Sequence, residues 1–178
     1  MNIIGEKVTL RAIELSDAPK LLEIINDEVI ESLIGGWSFP VSSLNQEEWI
    51  RNQKPSQQIL RCMIDDKLNH KTLGTVILSD IDYKNGTGEL HIKLLKDGRG
   101  KGYGVDTINT IVRYAFDELR LNCIYGRIIS YNTISQAMVE KCGFFKEGIL
   151  RKRIFKGGKY YDLIEMSILK EDIYGDRQ

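Results

Sequence analysis

Gly98-Arg99-Gly100-Lys101-Gly102-Tyr103-Gly104 places a glycine at every second position, and its two flanks decide how it is read. Upstream, Gly88-Glu89-Leu90-His91-Ile92-Lys93-Leu94-Leu95 alternates polar and apolar residues, the period of a half-buried strand. Downstream, Ile108, Ile111, Val112, Ala115, Phe116 and Leu119 recur every three or four residues, the period of an amphipathic helix. A glycine loop between a strand's end and a helix's start can take positive φ and lets a ligand approach the main chain. The helix's first amides lack internal partners and sit at the positive end of its dipole. With Arg99 and Lys101 beside them, the stretch reads as an anion cradle suited to phosphates.

The dinucleotide pattern GxGxxG does not fit, since its third glycine would fall on Tyr103 or Val105. Nor does the P-loop pattern, because no Gly-Lys pair here precedes Ser or Thr. Arg-x-x-Gly-x-Gly does fit, as Arg99, Gly102 and Gly104. It resembles the acetyl-CoA pyrophosphate loop of the GNAT acetyltransferase superfamily. The plainer alternative is a flexible loop with solvated basic side chains.

The 178 residues suit one domain, 1–178, with length enough to bury a core. Lys plus Arg equal Asp plus Glu at 25 each, so no bulk charge favours nucleic acid or an anionic membrane. Cys62, Cys123 and Cys142 are odd in number and contain no CxxC pair, which argues against a disulfide framework or zinc site. With only His70 and His91, a histidine metal cluster is also unexpected. Neither a signal-peptide core nor a stretch of roughly 18 apolar residues is present, so a cytoplasmic enzyme is expected.

In chain order, Lys7 to Ile13 reads as a strand, and Ser16 as the cap of a helix carrying Leu21, Leu22, Ile24 and Ile25. Residues 28–34 read as a short helical piece. Gly35 to Pro40 reads as a loop with the aromatics Trp37 and Phe39, and Ser43 opens a further helix. Residues 59–64 and 73–78 read as strands, and Asn85-Gly86 turns the chain into the strand before the glycine loop. After the long helix come a strand at 124–129, its long connection suggesting parallel pairing, and a helix from Asn132 to Lys141 stopped by Gly143. A hairpin turning at Lys156-Gly157-Gly158-Lys159 follows, and the polar tail from Lys170 is expected to fray. The class is α+β: a mixed, mostly antiparallel sheet of about seven strands flanked by about four helices. That is the element order of the GNAT fold, so the resemblance covers nearly the whole chain.

A second motif resembles the same superfamily. Asn132-Thr133-Ile134-Ser135, followed by Lys141-Cys142-Gly143-Phe144, is similar to its Asn-x-x-Ser, then Lys/Arg-x-Gly-Phe, block. Val8-Thr9-Leu10-Arg11-Ala12 and Gly158-Lys159-Tyr160-Tyr161-Asp162 resemble the group that acetylates N-termini of ribosomal proteins. The resemblance implies acetyl-CoA as cosubstrate. Its pyrophosphate would lie on Arg99, Gly100, Lys101, Gly102, Tyr103 and Gly104, its pantetheine along the main chain of Ile92, Lys93 and Leu94, with Asn132 binding pantetheine, capping its helix, or both.

Acetyl transfer to an amine needs a base, donors for a tetrahedral oxyanion, and a proton for the departing thiolate. Glu89 is the candidate base, on the polar side of its strand and similar to a glutamate of the ribosomal group. His91 shares that side and ranks second, and a salt-bridged surface glutamate is the bland reading. Many GNAT enzymes use a tyrosine as the acid, and Val139 stands at the matching position. Ser135 is the substitute, as a hydrogen-bond donor to the sulfur or to a relay water. Cys142 reads as a buried apolar cysteine rather than a nucleophile. The expected acceptor is a protein N-terminal amine. The alternatives are a small amine (polyamine, amino sugar or antibiotic) or a CoA-binding module without catalysis. Asp27, Glu28 and Glu31 would suit a cationic acceptor, and the final strands are plausible edges for a homodimer.

Overall fold

The computed structural model describes residues 1–36, 39–54 and 56–175. Eight strands form one sheet: β1 (Ile3–Ile4), β2 (Val8–Arg11), β3 (Leu60–Asp66), β4 (Thr72–Asp82), β5 (Thr87–Leu94), β6 (Cys123–Ile129), β7 (Phe145–Lys156) and β8 (Lys159–Leu169). Their spatial order is β1-β2-β3-β4-β5-β6-β8-β7. Every neighbouring pair is antiparallel except β5 with β6. Six α-helices accompany them: α1 (Ala18–Ile25), α2 (Glu28–Leu33), α3 (Ser43–Arg51), α4 (Tyr103–Asp117), α5 (Thr133–Lys141) and α6 (Lys170–Tyr174).

The expected α+β architecture is present with more pieces than anticipated. The extra strand is β1, two residues paired to β2, too short to leave a period in the sequence. The tail does not fray at Lys170. The Asp172 carboxylate accepts the Leu169 amide at 2.7 Å, and the Tyr174 hydroxyl donates to Asp117 at 2.9 Å, so α6 is stitched down to residue 174. Ser16 does not cap α1: it lies inside a 3₁₀ turn, Leu15–Asp17, that runs straight into that helix.

One face of the sheet carries the main core. Val8, Leu10, Cys62, Ile64, Val76, Leu78, Leu90 and Ile124 meet Ile108, Ile111, Val112, Ala115 and Phe116 of α4. Because strand side chains alternate, the other face of β5 presents Glu89, His91 and Lys93. A smaller core, Ile24, Ile30 and Leu95 with Ile34 against it, supports α1 and α2. The start of α1 is fixed by Arg11, whose guanidinium makes a two-pronged contact with Asp17 at 2.8 Å and also meets Asp65. The predicted hairpin turn sits at Gly157 and Gly158, both at positive φ (+53° and +81°), as a tight two-residue turn requires.

Candidate functional site

Strand β5 is paired along its length on one side and over only three residues on the other. Its ladder with β4 runs from Asp82↔Thr87 to Gly74↔Leu94. Its ladder with β6 covers Thr87↔Cys123, Gly88↔Ile124 and Glu89↔Tyr125, then stops, although both strands continue. The two parallel strands therefore part beyond Glu89 and leave a length of β5 edge open. Gly126 sits where they part, and a Cβ there would lie 3.3 Å from the Leu90 carbonyl oxygen.

A cleft of about 560 Å³ occupies this split. Ile77, Ser79, Glu89, His91 and Lys93 line it from one face of the sheet, and Ile108, Ser135, Met138 and Val139 from the helices on the other. The cleft thus runs through the sheet. Of the sequence candidates it gathers Glu89, His91, Ile92, Lys93, Asn132 and Ser135. Leu94, the last residue of β5, and the loop from Arg99 to Gly104 beyond it do not line the cleft.

Glu89 is only 8% exposed. Its carboxylate meets Arg127 Nη1 at 3.2 Å, while Arg127 Nε reaches Glu165 on β8 at 3.0 Å. Burial works against the Arg127 charge, but the hydrogen bond it donates to Glu165 and the attraction of Glu89 outweigh it and raise its pKa. Sequence reasoning missed Arg127; its one signal was a lone cation in the apolar run Cys123–Ile129. His91 Nε2 lies 2.9 Å from the Ser79 hydroxyl, and burial pushes its imidazole below the ordinary value despite the pull of Glu89. Burial also lowers the pKa of Lys93. A β-bulge between Ser79 and Asp82, with Asp80 at φ +49°, bends β4 beside this group.

Asn132 caps α5 by accepting the Ser135 amide at 3.1 Å and donates to the Leu33 carbonyl at 3.2 Å. Tyr131 donates to the Ser32 carbonyl, and Lys156 Nζ holds the Glu31 carbonyl at 2.9 Å together with its carboxylate. These contacts fasten the end of α2 as one wall of the cleft. They also bear on the acids near α2: Glu31 is paired to Lys156, Asp27 caps the helix by accepting the Ile30 amide at 2.7 Å, and none of Asp27, Glu28 and Glu31 lines the cleft. Phe39 is exposed, whereas Trp37 falls outside the described residues. Burial pushes the Cys62 and Cys142 thiols up to about 11, unfit for nucleophilic work. No tyrosine lines the cleft among the described residues, and Val139 is buried in its wall.

At the glycine loop, Gly100 and Gly102 take left-handed φ of +74° and +84°, and α4 begins at Tyr103. A Cβ at Gly100 would meet nothing within 4 Å, so the main chain there is open to a ligand. Two side chains are less free than expected. Arg99 Nε donates to the Leu94 carbonyl at 2.8 Å, and the Tyr103 hydroxyl is spent on Asp66, which leaves Tyr103 its amide. Asp106 would oppose an anion in the first turn of α4, but it turns away and accepts the amides of Glu6, Lys7 and Val8. No group of three or more His, Cys, Asp or Glu could hold a metal among the described residues, and no helix there is long and apolar enough to cross a membrane.

Residues 7–145 match the acetyltransferase (GNAT) domain family. The chain belongs to the GNAT acetyltransferases. Like the rest of that family it is an acetyl-CoA-dependent N-acetyltransferase. It is 33% identical over 168 residues to the SPbeta prophage-derived uncharacterized N-acetyltransferase YokL of Bacillus subtilis, covering 94% of this chain and 93% of that one. It is 28% identical over 183 residues to the putative ribosomal N-acetyltransferase YdaF of the same organism, covering 98% and 97%. Among solved structures, this GNAT chain is similar to spermidine N-acetyltransferase from Vibrio cholerae in complex with CoA and spermine. The TM-score is 0.87 at 28% identity, over 93% of this chain and 97% of that one.

Proposed function

We propose that the protein moves an acetyl group directly from acetyl-CoA to the primary amine of a small molecule. The observation that carries this is the split at Glu89, where an open β-edge, a buried carboxylate and an unspent hydroxyl meet in one cleft. In this reading pantetheine lies along Ile92 to Leu94 as a substitute strand. The loop amides of Gly100 to Gly104, with Arg99 and Lys101, hold the pyrophosphate.

An acceptor amine with a pKa of roughly 8–10 must lose a proton before attack. Glu89 takes it, directly or through one water, while Arg127 fixes the carboxylate's position. The amine nitrogen attacks the thioester carbon, the tetrahedral oxyanion collapses, and the C–S bond breaks as the thiolate is protonated. Ser135 makes no hydrogen bond through its hydroxyl among the described residues, which suits a donor to that sulfur or to a relay water. No enzyme-bound acetyl is involved. All of this chemistry lies within 1–178 acting as one domain, and three free cysteines suit a reducing compartment such as the cytoplasm. The outer strand β7 offers an edge for pairing two copies.

The similarity to a spermidine enzyme supports a small acceptor over the expected protein N-terminus. The N-terminal reading keeps one specific support, the YdaF likeness over nearly the whole chain. A thiol-release assay with acetyl-CoA tests both. Its panel sets spermidine, amino sugars, aminoglycosides and amino acids beside peptides that begin Ser, Ala or Met. Turnover confined to the peptides would overturn the small-acceptor reading. Failure to bind acetyl-CoA would overturn the transfer mechanism.

A further inference from the structure

The charge of the cleft wall is a feature that acetyl transfer leaves unused. Its titratable lining residues are Arg61, Glu89, His91, Lys93 and Arg127. Arg127 is balanced by Glu89 and Glu165. Arg61 and Lys93 have no carboxylate within ion-pairing distance among the described residues. The Arg61 guanidinium instead lies 5.7 Å from the centroid of the Trp49 ring, which steadies it without neutralising it.

Strand register puts these two cations on one surface. Arg61 stands opposite Ile77, and Ile77 opposite His91, so the three form a row across β3, β4 and β5. Lys93 is two residues further along that face of β5, roughly 12 Å from Arg61 between Cα atoms by strand spacing. The opposite wall, Leu33, Ile34, Ile154 and Leu163, brings no compensating charge. The acids near α2 that might have supplied it, Asp27, Glu28 and Glu31, do not line the cleft. CoA phosphates have their own cradle past the end of β5, at the start of α4.

We infer that the acceptor is an amine that also carries a carboxylate, held by Arg61 and Lys93 while its amine lies against Glu89. The inference rests on the proposed transfer to a small amine and narrows its substrate class to amino acids and their ω-amino analogues. Desolvation in the cleft sharpens the selection, since a buried ammonium gains from a nearby anion and loses from another cation. Polyamine recognition, as by the similar spermidine N-acetyltransferase, would place a second ammonium against two cations.

The test uses three acceptors matched in length: butylamine, 4-aminobutanoate and 1,4-diaminobutane. The protein is first titrated with CoA by calorimetry, then each acceptor is titrated into the loaded protein and assayed for turnover. The expected kcat/KM order is 4-aminobutanoate over butylamine by tenfold or more, with 1,4-diaminobutane last, and the spread should shrink in 0.5 M salt. Arg61→Gln should raise KM for 4-aminobutanoate about tenfold and leave KM for butylamine where it was, and Lys93→Met should raise KM for 4-aminobutanoate more than KM for butylamine. A preference for the diamine, or equal use of all three, overturns the inference alone. So does a rise in acetyl-CoA KM in Arg61→Gln with no change for 4-aminobutanoate, which would assign this cation to a CoA phosphate. Absence of CoA binding in the first titration overturns the transfer reading and this one with it.

Discussion

The two ends of β5 build binding surfaces from different materials. Beyond its C-terminal end, the loop from Gly98 to Gly104 offers main chain: positive-φ glycines, helix-start amides and an Arg99 tied back to the Leu94 carbonyl. At the cleft, β5 offers side chains, and two of them act through a partner from another strand: Glu89 with Arg127, His91 with Ser79. A backbone site is written within a few consecutive residues. A side-chain site exists only once register has aligned β3, β4, β5, β6 and β8.

That contrast predicts separable losses. Glu89→Gln removes the proposed base but keeps the shape, so kcat should fall by about 10²–10⁴-fold while acetyl-CoA binding, read by calorimetry, stays within error. Equal turnover in the variant would shift the base to His91. Gly102→Val attacks the other end. A β-branched residue at φ +84° is strained by about 1–3 kcal/mol, so the melting temperature should drop and acetyl-CoA KM rise, with acceptor KM little changed. Ser135→Ala should cost one hydrogen bond of about 0.5–1.5 kcal/mol, a two- to tenfold loss in kcat with both KM values kept.

The smallest effect concerns acid stability. The folded protein holds His91 below its ordinary pKa of 6.5, so the unfolded chain takes up that proton first. The contribution of His91 is therefore full above pH 6.5 and is lost as pH falls through the folded value. Asp17 adds a second acid limb. Its burial is outweighed by the Arg11 contact, so its carboxyl sits below 3.8 and its contribution disappears only below that pH. Melting curves from pH 8 to 3 should show both limbs, and His91→Gln should erase the first.

The same contrast explains what could be read in advance. The period of Ile108 to Leu119, the Gly143 stop and the Gly157-Gly158 turn are local signals, and each marks the element found there. The loop's glycines were equally legible. The burial of Glu89 was not legible, because alternation gives a face but says nothing of what covers it. The acidic α2 residues looked available because Lys156 lies 125 residues from Glu31, a separation no local pattern spans. The tie between Asp106 and the amides of residues 6 to 8 is equally invisible locally, since its partners lie about a hundred positions upstream.

The place of β8, inserted between β6 and β7, has a consequence for synthesis. Chains grow from the N-terminus at about 5–20 residues per second, and glycine loop, α4 and β6 all leave the ribosome before β8 does. Until Glu165 arrives, Arg127 has only Glu89 to answer it, and β6 has one bare edge. The proposed donor cradle can therefore assemble on the nascent chain, whereas the proposed catalytic carboxylate acquires its final surroundings only once β8 has been made.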